Sequence, residues 1–195
     1  KKGWLWVIAA CVTLASAVFQ RMTGPTYPIR GSKVVGGSEV RYTLKRSQTV
    51  GEDLRVEVAA PDTLFKGAVV YRRFKSQDPW TGAAMVREGS NLAALLPGQP
   101  PAGKILYRIR LDREGESLWL TSGPVVCRFK GAVPVWIILP HVLLIFTAML
   151  LSNRTLLEAL DREGRPVRIM IWTVVIFFLG GFVFGPIMQK YAFGA

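Results

Sequence analysis

The chain has 195 residues, 50% of them hydrophobic, with 25 Lys plus Arg against 13 Asp plus Glu and a formal charge of +12. That length allows one domain or two. With a single histidine and two cysteines, the chain holds no CxxC redox pair and no CxxCH haem attachment site; zinc-ligand spacings, phosphate-binding loops and nucleophile elbows are absent as well.

The first element is an apolar run ending at Phe19, behind Lys1 and Lys2. Lys1-Lys2, the stretch to Leu14 and then Ala15-Ser16-Ala17 have the order of a secretory signal with a small-residue cleavage site. Ile8-Ala9-Ala10-Cys11 also resembles a lipoprotein processing box, but Val12 to Phe19 stays apolar where a polar tether would follow a lipidated cysteine. About 18 apolar residues cross a hydrocarbon layer of roughly 30 Å. Residues 1–20 are therefore read as an uncleaved transmembrane helix.

Residues 21–37, with Gly24-Pro25, Pro28, Gly31 and Gly36-Gly37, read as an extended tether. The period then changes to two. Val40, Tyr42 and Leu44 alternate with charged or polar neighbours, as do Leu54, Val56 and Val58, which predicts half-buried strands. Ala68–Phe74 is a third strand, and the turn residues Gln77-Asp78-Pro79 and Thr81-Gly82 return Ala83–Arg87 as its hairpin partner. Asn91–Leu96 is a short apolar piece ended by prolines. Ile105, Tyr107, Ile109 and Leu111 then mark one face of a strand, and a last strand, Leu118 to Phe129, is interrupted at Gly123-Pro124, where proline cannot donate to a ladder. About seven short strands over residues 38–131 predict a two-sheet sandwich.

The segment Leu96-Pro97 followed by Gly103-Lys104-Ile105-Leu106-Tyr107-Arg108-Ile109 resembles the corner before the penultimate strand of fibronectin type III and immunoglobulin-like domains. That resemblance implies a corner role for Tyr107, with its hydroxyl bonding back to the preceding loop, and a domain used for adhesion or docking. The Cys, Trp and Cys pattern of true immunoglobulin domains is missing, and a fold alone assigns no function.

Residues 132–152 form the second apolar run and residues 169–190 the third, with residues 153–168 as the loop between them. Leu156, Leu157 and Leu160 in that loop fit two further helical turns before Gly164 and Pro166. Lys1, Lys2, Arg154, Arg162, Arg165 and Arg168 flank the helices on one side and only Lys190 follows the third. This excess predicts a cytoplasmic N-terminus and 2–3 loop, with Trp4, Trp6 and Trp172 at the inner interface and Trp136 and Tyr191 at the outer one. The sandwich is then extracytoplasmic, which removes nucleic acid as a partner. Residues 20–132 carry 18 Lys plus Arg against 10 Asp plus Glu, a basic surface that attracts anionic lipid or acidic protein. The predicted contact residues are Arg72, Arg73, Arg108 and Arg110.

An ionisable residue inside a bilayer is a functional candidate by default. His141 lies roughly 12 Å along the second helix. It is read first as a structural hydrogen-bonding group, then as a haem b or quinone contact, then as a proton carrier. Gly181 and Gly185 stand four apart in the third helix, where missing side chains allow close helix packing. Cys11 and Cys127 are expected to be free and buried.

The stretch Gly185-Pro186 to Ala195, together with Pro140-His141 and Ser152–Leu160, is similar to bacterial inner-membrane proteins of uncharacterised activity. It transfers no catalytic residue. The absence of an initial Met and the end close to a helix suggest a piece of a longer polypeptide, and whether the natural chain continues beyond Ala195 is left open. The leading expectation is a non-catalytic accessory or scaffold subunit, with other membrane-protein subunits as partners. A redox subunit using His141 is the alternative, and an extracytoplasmic sensor or adhesion module the third.

Overall fold

Strands form where apolar and polar residues alternate, because a pleated chain sends successive side chains to opposite faces. In the computed structural model, which describes residues 3–194, residues 25–131 are one compact unit and the helices another. Lys1, Lys2 and Ala195 lie outside the described residues, so the basic N-terminal flank is not seen.

The β unit has two sheets. One has the order β1 (Ile29–Val35), β2 (Ser38–Leu44), β4 (Leu54–Ala59), β8 (Asn91–Leu96) and β7 (Val86–Glu88). The other has the order β3 (Ser47–Thr49), β11 (Val125–Lys130), β9 (Lys104–Arg113), β5 (Lys66–Arg73) and β6 (Thr81–Ala84), with β10 (Glu116–Trp119) also on β9. All pairs are antiparallel except β3 with β11. Val40, Leu44, Leu54, Val56, Val58, Leu92 and Leu96 from the first sheet meet Val69, Ile105, Tyr107, Ile109, Leu111, Val125 and Phe129 from the second in one core.

Three sequence expectations change here. Residues 29–35 are not a free tether: they pair along their whole length with β2, through a two-residue turn at Gly36 and Gly37, both at positive φ. That backbone is the one a tight hairpin demands. Ala83–Arg87 does not stay in one hairpin, because Thr81–Ala84 pairs with β5 and Val86–Glu88 crosses to β8 in the other sheet, with Met85 buried between them. Tyr107 does not bond to the loop preceding its strand; its hydroxyl donates to the Lys45 carbonyl, 2.8 Å away and 62 residues upstream. The interruption near Gly123-Pro124 is present. β10 and β11 lie end to end on the same edge of β9, opposite Arg110–Arg113 and Lys104–Tyr107.

Three helices are long and apolar enough to cross a membrane: Gly3–Thr23, Val135–Ala159 and Pro166–Phe193, so the chain is a membrane protein. They are α1 (Gly3–Thr23), α2 (Val135–Ala159), and a third span made of α3 (Pro166–Phe177), a π-helical turn (Phe178–Phe184) and α4 (Gly185–Phe193). Leu5, Ala9 and Thr13, four apart, are the buried stripe of α1, where small side chains let helices approach. Many other apolar side chains, including Trp4, Val12, Phe19, Leu143, Phe177 and Phe182, face outward, as suits a helix whose solvent is lipid. Cys11 is among the exposed residues of α1, against expectation, whereas Cys127 is buried. The expected 153–168 loop is shorter than the sequence boundary, since α2 continues to Ala159.

Candidate functional site

Two regions hold polar groups that the cores do not explain. The first is the outer face of the sheet containing β9. Ile105, Tyr107, Ile109 and Leu111 point inward, so Lys104, Leu106, Arg108, Arg110 and Asp112 point out. The pairing of Arg72 with Leu106 puts Arg72 on the same outer face. Arg108 stacks on the Trp119 ring, 4.2 Å from its centroid, and Arg72 on Trp80 at 4.8 Å. Such stacking holds a guanidinium flat while its charge is retained. The Nε atoms of Arg72 and Arg108 are covered and have no acceptor among the described residues.

Arg73 does not join this group. Adjacent strand residues face opposite ways, and Arg73 instead donates to Asp78 at 2.5 and 3.0 Å. That bond, with a second from Ser76, holds the Asp78 carboxyl down at about 2. Arg110 has Asp112 beside it at 3.3 Å. The outer face of the opposite sheet is neutralised more fully: Arg41 pairs with Glu39 at 2.6 Å, and Arg55 pairs with Glu57 at 3.2 Å and Glu88 at 2.5 Å. One face of the sandwich is thus cationic and ringed by tryptophan, and the other is self-paired.

The second region lies among the helices. His141 Nδ1 is 2.9 Å from the Gly180 carbonyl oxygen. A carbonyl only accepts, so Nδ1 is the donor of this bond. The same carbonyl accepts the Gly185 N–H, the bond that makes the π-helical turn. Gly180 is the close-approach glycine: a Cβ there would lie 2.9 Å from Leu144 Cβ. At Gly181 a Cβ would meet only Phe177 of its own span, at 3.6 Å, and at Gly185 the nearest atoms are 3.7 Å away or more. Gly180 is thus the glycine nearest α2; Gly185 also faces α2, where a Cβ would lie 3.9 Å from His141 Cε1, and Gly181 meets only its own span.

Further along α2, Asn153 donates to Thr13 of α1 at 2.9 Å, and the Thr155 and Thr173 hydroxyls approach within 3.5 Å. Arg154 and Glu158 form a buried ion pair. The guanidinium sits 5.4 Å from the Trp6 ring centroid, and Glu158 accepts the Arg165 N–H at 3.2 Å. Assigning 153–168 to a loop hid this pair. Its signal was there: an Arg and a Glu four apart, directly continuing an apolar helix. Among the described residues no group of His, Cys, Asp and Glu has the geometry to hold a metal ion.

No protein-family model matches the chain, and no curated protein matches it.

Proposed function

We propose that this protein is a non-catalytic accessory or scaffold subunit of a multi-subunit assembly in a bacterial inner membrane. Its helices anchor it beside partner helices, and its β domain docks from the extracytoplasmic side. The observation that supports this reading is the contrast between the two outer faces of the sandwich, one self-paired and one bearing arginines stacked on Trp80 and Trp119. Cationic side chains fixed on aromatic rings are characteristic of interface anchors. The excess of Lys and Arg beside the α2–α3 turn supports the orientation.

An immunoglobulin-like assignment of the β domain is favoured by strand order. β2, β4, β8 and β7 correspond to an ABED sheet, and β5, β9 and β11 to CFG. Extraction from native membranes in a mild detergent tests the function. The intact chain should migrate with further subunits, and Arg72→Glu with Arg108→Glu should release them while the helices stay inserted. A wild-type chain that migrates alone sinks the proposal.

A second reading, His141 as a haem b or quinone contact, draws on the Nδ1 bond to the Gly180 carbonyl. A ligating or accepting imidazole is oriented in this way, with the other nitrogen held by a carbonyl. A reduced-minus-oxidised spectrum of the native complex that is identical in a His141→Ala variant excludes the haem form.

A further inference from the structure

The register of the strands fixes which loops share an end of the sandwich. β1 begins opposite Leu44, the last residue of β2, and the Arg46 carbonyl accepts the Arg128 N–H. Lys104, the first residue of β9, pairs with Arg128, and the Phe74 N–H donates to the Lys104 carbonyl. The start of β1, the end of β11 and the β2–β3, β5–β6 and β8–β9 loops therefore lie together. Both connections to the membrane helices leave from this end. Only residues 24–28 separate α1 from β1, and only residues 131–134 separate β11 from α2. A five-residue linker spans at most about 17 Å.

Charge is partitioned along the same axis. The linker end bears Arg30, Lys45 and Arg46 from the first strands, Arg73 and Lys75 from the β5–β6 connection, and Lys104, Arg128 and Lys130 from β9 and β11. Its acids are Glu52, Asp53 and Asp78, which gives eight cations to three anions. The far end, at the β1–β2, β4–β5, β7–β8 and β9–β10 turns, lacks that excess. Glu39, Asp62, Glu88, Asp112, Glu114 and Glu116 there are matched by Lys33, Lys66, Arg87 and Arg113 together with Arg41, Arg55 and Arg110, which pair with Glu39, Glu88 and Asp112.

Aromatic rings accompany the cations at the linker end. Lys104 and Lys75 Nζ lie 5.3 and 5.8 Å from the Phe74 ring centroid, and Arg30 lies 5.9 Å from that of Tyr27. A shallow cleft of about 420 Å³ opens between the β5–β6 and β8–β9 loops, lined by Arg73, Phe74, Lys75 and Lys104. Cations beside aromatic rings on mobile-length stems suit a phosphate-rich interface, where the ring meets the acyl boundary and the charge meets the headgroup.

We propose that the linker end of the sandwich seats on the anionic headgroup layer of the bilayer that the helices cross. Short connections keep this end close to lipid phosphates, and its charge is of the sign they attract. The far end has no comparable cationic excess to draw it to that surface. The proposal is independent of which partner meets the β9 face.

Amide exchange on the full chain tests it in nanodiscs of phosphatidylcholine, with and without phosphatidylglycerol. Residues 74–78 and 97–103 should exchange roughly threefold more slowly or better when phosphatidylglycerol is present. The Arg113–Glu116 turn should not change. About 1 M salt, where the screening length falls to about 3 Å, should abolish the difference. Lys75→Glu with Lys104→Glu should do the same. Both lysines are exposed or half-exposed loop and strand-end positions, and the salt arm stands if the variant misfolds. Equal exchange in the two lipids overturns the proposal. So does protection that appears only on adding a native-membrane extract, irrespective of lipid, because the occupant is then a protein.

Discussion

Arg154 and Glu158, one helical turn apart on α2, bring Nη2 and Oε2 within 2.5 Å with 5% and 10% of their side chains exposed. Nε and Nη1 of the arginine have no acceptor among the described residues, whereas the carboxylate also accepts the Arg165 N–H. The two partners are thus unequally supported. Removing the carboxylate leaves a buried guanidinium with only the Trp6 ring beside it; removing the guanidinium leaves a carboxylate that still has a donor. Glu158→Gln should cost about 3–5 kcal/mol, the range for breaking a buried pair, and Arg154→Met less. The double variant should be more stable than Glu158→Gln alone. Thermal unfolding of the helices in detergent reads all three, and equal losses for both single variants would argue against this account.

Gly180 sits where two helix backbones nearly touch. The nearest atom to an added methyl is Leu144 Cβ, which is fixed to its own backbone and cannot turn aside. Gly180→Ala should therefore destabilise the helical unit by about 1–3 kcal/mol, the usual effect of overpacking. Gly181→Ala meets only ordinary contacts and should stay within about 0.5 kcal/mol of wild type. Melting temperatures of the two variants in one detergent decide between Gly180 and the Gly181–Gly185 pair as the packing seam.

The hydroxyl of Tyr107 ties β9 to the carbonyl of Lys45, between β2 and β3. The ring is fully buried, and burial pushes its phenol upward, so the neutral donor form persists. Tyr107→Phe keeps the packing but strips that carbonyl of its donor. The expected loss is about 0.5–1.5 kcal/mol, the net contribution of one hydrogen bond, since Lys45 is exposed and water can replace the donor. Sheet-region circular dichroism on heating measures it, and faster amide exchange should appear first around Lys45 and Arg46.

These cases show why part of the architecture is visible in the amino-acid order and part is not. Apolar runs long enough to cross lipid, and strands such as Val40–Leu44 and Leu54–Val58, are read directly because solvent imposes their period. β1 is missed because its inward positions include Gly31 and Lys33, which break the apolar alternation. Gly31 leaves room for a side chain on another strand, since a Cβ would fall 2.5 Å from the Tyr42 hydroxyl and the ring would have to shift. The crossing at Met85 and the separation of Arg72 from Arg73 depend on register, which no single strand encodes. The π-helical turn depends on a carbonyl shared between His141 and Gly185.

Cys127 supplies a pH-dependent test of the sandwich. It is fully buried on β11, and burial pushes its thiol from 9.0 up to about 11, with Lys45 pulling weakly the other way. A group that holds its proton more tightly when folded adds stability below its unfolded value and loses that contribution as pH rises through the folded one. The stability difference between wild type and Cys127→Ala should therefore be constant up to about pH 9 and shrink between pH 9 and 11. Subtracting the variant at each pH removes the titration of the lysines and other tyrosines. Because only the thiolate reacts, a maleimide at pH 8 should label Cys127 after unfolding and leave it untouched in the native protein. Rapid native labelling at that position, or a pH-independent difference through pH 11, would show that β11 does not hold the thiol in the core.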